Sequence, residues 1–137
     1  MLTVAICDDD GVIAEELKGM LEECCREIHT EVLIRIFGRG IDLENTIREG
    51  QSYDLIYLDI QMNEQNGIET AKRIRDMNPD VFIIFISGYD QFMEEIFDVN
   101  AFNFIHKPIK KERLKKVLQQ VLEKIEKRTQ FYYMTYN

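Results

Sequence analysis

Five short apolar segments alternate with five amphipathic segments along this chain, and no other feature of the sequence restricts its fold as strongly. Short, continuous apolar runs are typical of strands that are buried on both faces of a parallel sheet. The segments between them repeat their apolar residues at the three- and four-residue spacing of helices. The predicted strands are residues 2–7, 32–37, 55–58, 81–86 and 102–105, and the predicted helices are residues 13–28, 41–48, 68–77, 91–99 and 110–128.

This element order predicts one α/β domain. Parallel strands that are joined by helices need crossover connections, which are almost always right-handed, so helices cover both faces of the sheet. The leading topology is a flavodoxin-like, doubly wound (βα)5 sandwich, whose parallel five-stranded sheet has the order 2-1-3-4-5.

Composition and charge exclude several classes of protein. The 137 residues suit a single domain, and no apolar run approaches the roughly 20 residues of a membrane-spanning helix. The start MLTVAICDDD lacks a basic stretch before an apolar core, so no signal peptide is predicted and we expect a cytoplasmic protein. The net charge of −8 argues against direct binding of nucleic acid, which requires a basic face. Cys7, Cys24 and Cys25 lack zinc-ligand spacing and are expected to be buried apolar residues.

Polar side chains follow four of the predicted strands. Asp8 and Asp9 follow the first strand, Asp59 the third and Ser87 the fourth, while Lys107 lies just beyond the fifth. Because open α/β sheets bind ligands beyond the carboxyl ends of their strands, we expect these side chains to share one shallow pocket. Two carboxylates about 4 Å apart repel by roughly 4 kcal/mol at an effective dielectric near 20, so three together require a cation or a bound proton. Oxygen ligands of this kind favour Mg²⁺.

Such a set of groups is typical of phosphoryl transfer. Asp59 stands alone at the end of a central strand and is the predicted nucleophile, while the adjacent Asp8 and Asp9 are better placed to hold the metal. Lys107 supplies a fixed positive charge, and the Ser87 hydroxyl can donate to a phosphoryl oxygen.

The sequence resembles the receiver domains of response regulators, which are CheY-like, from residue 2 to about residue 127. The matching motifs are ICDD, LIYLDIQM, NGIE at the start of the third helix, the pair Ser87-Gly88, and AFNFIHKP. Each motif is short, but all of them occur in the order that the family has.

The resemblance implies that a sensor histidine kinase phosphorylates Asp59 and that Ser87 and Lys107 contact the phosphoryl group. Gly88, which has no side chain, leaves the acceptor open to the donor. The chain is then expected to catalyse only its own Mg²⁺-dependent phosphorylation and dephosphorylation, and not to be an enzyme in the usual sense.

The resemblance also implies the metal ligands and the switch. Asp9 would bind Mg²⁺ directly, Asp8 mainly through water, and Asp59 and the backbone carbonyl of Gln61 would complete the protein ligands. Further implied features are a cis bond before Pro108 and a switch in which Phe104 turns inward when Ser87 moves toward the phosphate.

The last part of the chain resembles a particular group of receivers. SGYDQFMEEIFDVNAFNFIHKP looks like receivers that precede a LytTR-type (LytR/AgrA-like) DNA-binding domain, and FYYMTYN is similar to the first strand of that domain. Residues 1–127 are therefore predicted to form the receiver, and residues 128–137 a linker and the start of the second domain. Contact with DNA is expected only through that domain, and the family suggests a homodimer through the face formed by the fourth helix, fifth strand and fifth helix.

Two other functions remain as alternatives. One is a receiver-like module that docks a partner without being phosphorylated. The other is an enzyme on a related sheet, either a flavin carrier or an aspartate-nucleophile phosphatase. The first strand is followed by aspartates rather than a phosphate-binding Ser/Thr/Gly loop, and Gln61 stands where a phosphatase has its second Asp, so both enzymes are disfavoured. His29 and His106 are expected to be structural or exposed.

Overall fold

The computed structural model describes residues 1–62, 66–88 and 93–136. In chain order the elements alternate between strand and helix, as predicted. The strands are β1 (Leu2–Cys7), β2 (Val32–Phe37), β3 (Leu55–Asp59), β4 (Phe82–Ser87) and β5 (Asn103–His106). The helices are α1 (Gly11–Glu27), α2 (Gly40–Arg48), α3 (Gly67–Met77), α4 (Met93–Asp98) and α5 (Lys111–Tyr136).

The strands form one parallel sheet in the order β2-β1-β3-β4-β5, which confirms the predicted topology. Every residue of β3 and β4 is buried, as their continuous apolar sequences predict. β2 is an edge strand and is less well covered, since Leu33 is 58% exposed. The order reverses between β1 and β3, so the ends of these two central strands lie side by side.

Helices cover both faces of the sheet and bury two separate apolar clusters. Val4 and Ile6 of β1 point to the face where α1 and α5 pack, whereas Ala5 and Cys7 point to the face of α2, α3 and α4. This alternation is the two-residue period of a strand. The three cysteines are free and buried, as expected: Cys7 lies in the second cluster, and Cys24 and Cys25 lie in the first.

Polar caps fix where two helices begin. Asp10 precedes α1, and its carboxylate accepts hydrogen bonds from the backbone N–H groups of Val12 and Ile13. Asn66 precedes α3 in the same way and accepts a hydrogen bond from the N–H of Glu69 at 2.9 Å. Such caps satisfy N–H groups that have no partner within the helix.

The end of the chain differs from its prediction. Residues 128–136, expected to be a linker and the start of a strand, continue α5 instead. No glycine or proline interrupts the sequence after Pro108, so no stop signal ends the helix. The aromatic residues after position 130 favour a strand, but none of the five described strands pairs with them. The domain boundary after residue 127 stays a prediction. The predicted fourth helix began at residue 91, and residues 91 and 92 lie outside the described residues.

The described part of the chain has no helix with the length and hydropathy that a bilayer crossing requires.

Candidate functional site

A cleft of about 410 Å³ opens at the carboxyl ends of the strands. It brings together every residue that the sequence predicts for metal binding and phosphoryl transfer. The lining residues are Asp8, Asp9, Asp10, Ile13, Asp59, Gln61, Ser87, Gly88 and Lys107.

Three carboxylates converge in this cleft. One oxygen each from Asp8, Asp9 and Asp59 lies within 4.8 Å of the other two. Asp8 and Asp59 are 5% and 4% exposed, while Asp9 stands at the open side. Asp8 is held in place because its Oδ1 accepts a hydrogen bond of 2.9 Å from the N–H of Asp10. Clustered carboxylate oxygens with one side open to solvent form a donor set that suits a hard divalent cation such as Mg²⁺.

Lys107 stands opposite these carboxylates. Its Nζ lies 3.2 Å from Asp59 Oδ1 and 3.4 Å from Asp8 Oδ2. Burial alone would lower the pKa of this ammonium group, but Asp59 and Asp8 outweigh burial and raise the pKa of Lys107. Lys107 is therefore a fixed cation over the range of physiological pH. The bond between Lys107 and Pro108 is cis, as the resemblance implied.

The Asp59 carboxyl has an altered acidity. Burial is the largest cause, the charge of Asp8 adds to it, and Lys107 opposes both, so that the pKa of Asp59 rises from 3.8 to about 6. A cation held by the carboxylates would favour the ionised form, which is the nucleophilic one.

Ser87 and Gly88 form the β4 side of the cleft. Ser87 is the last residue of β4 and is 1% exposed, and its carbonyl oxygen accepts a hydrogen bond of 2.9 Å from the N–H of Lys107. Gly88 is exposed, and a Cβ added there would meet nothing within 4 Å. This free space beside the carboxylates is consistent with an acceptor that a donor can reach.

Phe104 is the one predicted functional residue that does not line the cleft. It lies on β5 in register with Phe85 and is buried in the cluster beneath α2, α3 and α4. Its ring makes an edge contact with that of His106, at 4.7 Å between centroids, and His106 is in register with Ser87. Phe104 thus lies close along the sheet to Ser87, and its movement on phosphorylation stays a prediction. His29 and His106 are both exposed.

Two residues beside the site have roles that were not predicted. Asp10 lies just before α1 and caps it, and an aspartate in this position is a common N-cap that the sequence pattern could indicate. Gly67 belongs to the NGIE motif, and its backbone lies directly against that of Asp59. No local pattern in the sequence indicates this second contact.

Comparison with known proteins gives consistent matches. Residues 4–119 match the family of response regulator receiver domains. The sensory transduction protein LytT of Bacillus anthracis is 32% identical over 122 residues, which cover 88% of this chain and 47% of LytT. LytT of Bacillus subtilis is 32% identical over 130 residues, which cover 93% of this chain and 49% of the relative. The chain therefore spans about half the length of these curated relatives.

Solved structures agree with these matches. The response regulatory domain of mrkE from Klebsiella pneumoniae superposes with a TM-score of 0.81 at 26% identity, covering 92% of this chain and 99% of that one. TrrA from Thermotoga maritima, a response regulator solved in complex with Mg²⁺ and BeF, gives a TM-score of 0.76 at 26% identity, covering 88% and 99%.

Proposed function

The chain belongs to the response regulator receiver domain family, and on this basis we propose that a sensor histidine kinase phosphorylates it on Asp59 in a two-component system. The observation that carries the proposal is the grouping of Asp59 with Asp8, Asp9 and Lys107 at one sheet edge. A nucleophilic carboxylate beside a metal-binding pair and a fixed cation is the arrangement that phosphoryl transfer requires.

In the proposed reaction, a carboxylate oxygen of Asp59 attacks the phosphorus of a phosphohistidine or of a small phosphoramidate. An O–P bond forms, the N–P bond breaks, and the leaving nitrogen takes up a proton. Lys107, already 3.2 Å from Asp59, faces the negative charge of the transferred group, and the Ser87 hydroxyl donates to one of its oxygens.

Mg²⁺ is the proposed cofactor. Asp8, Asp9, Asp59 and the backbone carbonyl of Gln61 would hold it, and when bound it neutralises negative charge on the phosphoryl group. The support is the chemistry of the donors, since carboxylate and carbonyl oxygens at an open cleft match the preference of this ion. We propose that the chain acts only on the phosphoryl donor and on its own phosphoaspartate, so that its reactions are self-phosphorylation and self-dephosphorylation.

The proposed output is regulation of transcription. The similarity to LytT, together with the likeness of SGYDQFMEEIFDVNAFNFIHKP to receivers of this group, supports a LytTR-type DNA-binding domain after residue 127. Dimerisation through the surface formed by α4, β5 and α5 is part of the proposal, and α4 contributes to that surface the apolar side chain of Phe97, which is 78% exposed. Phosphorylation adds charge beside Ser87, and Phe104 is the side chain proposed to convey the change toward α4.

Chemical phosphorylation tests the central claim. Phosphoramidate with Mg²⁺ should add about 80 Da to the intact mass of the chain, and the added mass should be absent from Asp59→Asn. Asp42→Asn is a matched control, because Asp42 is an exposed aspartate of α2 and should not affect labelling. Label that persists in Asp59→Asn would refute the assignment of the acceptor. A folded wild-type chain that is never labelled would instead favour the unphosphorylated docking module.

A further inference from the structure

Gly67, the first residue of α3, approaches the backbone of the proposed acceptor more closely than any side chain would allow. A Cβ at this position would lie 2.1 Å from the carbonyl oxygen of Asp59, 2.9 Å from its carbonyl carbon and 3.1 Å from the Cα of Ile60. Cβ atoms essentially never come within 3.0 Å of another heavy atom in this way. All three neighbours are backbone atoms, so no side chain can rotate aside to make room.

Neither side of this contact is free to move. Asp59 ends β3 in register with Ile86, and the N–H of Ile60 donates to the carbonyl of Ile86 at 3.1 Å. On the other side, α3 is held by buried Ile68 and Ile74 and by the N–H of Gly67, which donates to the carbonyl of Ile60 at 2.7 Å. A displacement on the order of 1 Å would therefore have to separate α3 from the sheet or shift the segment from Asp59 to Gln61.

The geometry of the cleft depends on that segment. The 3.2 Å contact of Asp59 with Lys107 and its proximity to Asp8 and Asp9 are set by the position of the Asp59 backbone. Gln61, two residues further along the same segment, also lines the cleft. A shift of the segment thus alters two of the proposed metal ligands at once, and one of them, Asp59, is also the proposed nucleophile.

We infer that Gly67 is a positioning residue of the phosphorylation site: its missing side chain lets α3 lie against the Asp59 backbone and so sets the position of the acceptor carboxylate relative to its charged neighbours. The inference rests on the proposed function where it names Mg²⁺ and phosphoryl transfer. Its geometric part, the contact between Gly67 and Asp59, does not depend on that function.

The test is Gly67→Ala in the 137-residue chain, with Mg²⁺ binding measured by isothermal titration calorimetry on folded protein. We expect the dissociation constant for Mg²⁺ to rise at least about 10-fold, as for other changes that misplace metal ligands. Labelling by phosphoramidate at saturating Mg²⁺ should slow by about 10- to 100-fold, because small misplacements of reacting groups reduce rates strongly.

Two control variants separate positioning from stability. Gly19→Ala adds the same methyl group to α1 where nothing lies within 4 Å, and it should leave both readouts within about twofold of wild type. Leu118→Ala removes buried volume from α5, which packs on the other face of the sheet, and should lower stability by about 2–5 kcal/mol, yet leave the Mg²⁺ affinity of the folded fraction within about threefold.

The outcomes distinguish the two proposals. If folded Gly67→Ala binds Mg²⁺ and is labelled as well as the wild-type protein, this inference is wrong and the proposed function is unaffected. If the wild-type protein neither binds Mg²⁺ nor is labelled, the proposed function is refuted. If Gly67→Ala does not fold, the wild-type protein is titrated with Mg²⁺ and followed by NMR. The amide resonance of Gly67 should then shift with the same midpoint as that of Ile60. A Gly67 resonance that stays unshifted would overturn the inference.

Discussion

The ionised carboxyl of Asp59 is destabilised in the folded protein. Its pKa is about 6 there, raised first by burial and then by Asp8 despite the opposing charge of Lys107, while the unfolded chain has the ordinary value of 3.8. Between these values the folded state holds a proton that the unfolded state releases, so the free energy of unfolding falls as pH rises from about 4 to 6. In the metal-free protein, ionisation of Asp59 lowers the free energy of unfolding above pH 6 by at most about 3 kcal/mol, and solvent in the open cleft reduces this decrease.

Removing this charge should therefore stabilise the metal-free protein. We expect Asp59→Asn to raise the free energy of unfolding by about 1–3 kcal/mol near pH 7.5, and the gain should shrink toward zero near pH 4, where wild-type Asp59 is protonated when folded. Urea unfolding followed by circular dichroism with a chelator present measures both values. Asp42→Asn removes an exposed charge in the first turn of α2, where Asp42 Oδ2 lies 3.7 Å from Arg39 Nε, and should lower the free energy of unfolding by less than about 1 kcal/mol at both pH values. An Asp59→Asn protein that is less stable than wild type near neutral pH would contradict the electrostatic account.

The individual site residues differ in how far the sequence reveals them. Asp8, Asp59 and Ser87 could be predicted because strand ends are visible in the sequence and parallel strands align those ends at one edge. The contact between Gly67 and the Asp59 carbonyl could not be predicted, since it depends on how closely α3 approaches β3 after the core has packed. Local sequence identifies the glycine as a turn residue but does not reveal which atom it faces.

In the fifth helix, the local preference of the sequence and the observed structure agree up to about residue 130 and differ after it. The apolar positions that begin at Leu114 predicted the buried part of α5, but the aromatic residues after position 130 suggested a strand. Arg128 marks the transition: its guanidinium lies 4.3 Å from the ring centroid of Phe82 and donates to the carbonyl of Asp80 at 2.9 Å. Beyond it, Phe131 and Met134 are exposed, and the helix continues without packing on the sheet.

The contacts of Arg128 at the end of the packed part of α5 lead to a prediction about stability. Arg128→Ala should lower the free energy of unfolding by about 1–2 kcal/mol, since it removes a cation–π contact and a hydrogen bond to Asp80. Lys127→Ala, at the exposed neighbouring position, and a chain that ends after Gln130 should each stay within about 0.5 kcal/mol of wild type. Urea unfolding monitored by circular dichroism compares all four proteins. A truncated chain as unstable as Arg128→Ala would show that residues 131–136 contribute to the fold.

The complete domain consists of two apolar layers that share one sheet. α1 and α5 close the first layer, and α2, α3 and α4 close the second, while β1 and β3 supply side chains to both. Strand residues alternate between the layers, so loss of one layer exposes one face of the central strands. The remaining layer is then less stable, because the same strands supply its side chains. We therefore expect the two layers to unfold together, as is usual for small single domains.

The native cysteines allow this cooperativity to be measured. Cys7 lies in the second layer and Cys25 in the first, and burial raises their pKa values to about 12 and about 11, so neither thiol should react with a disulfide reagent while the protein is folded. Two single-thiol variants, one retaining Cys7 and the other Cys25 with the remaining cysteines replaced by alanine, each report on one layer. Across a urea titration, brief thiol labelling should give a midpoint that matches the circular dichroism midpoint of the same variant. Labelling of Cys25 well before the helical signal is lost, with Cys7 still protected, would mean that the α1–α5 layer opens first and that the sheet does not couple the two layers.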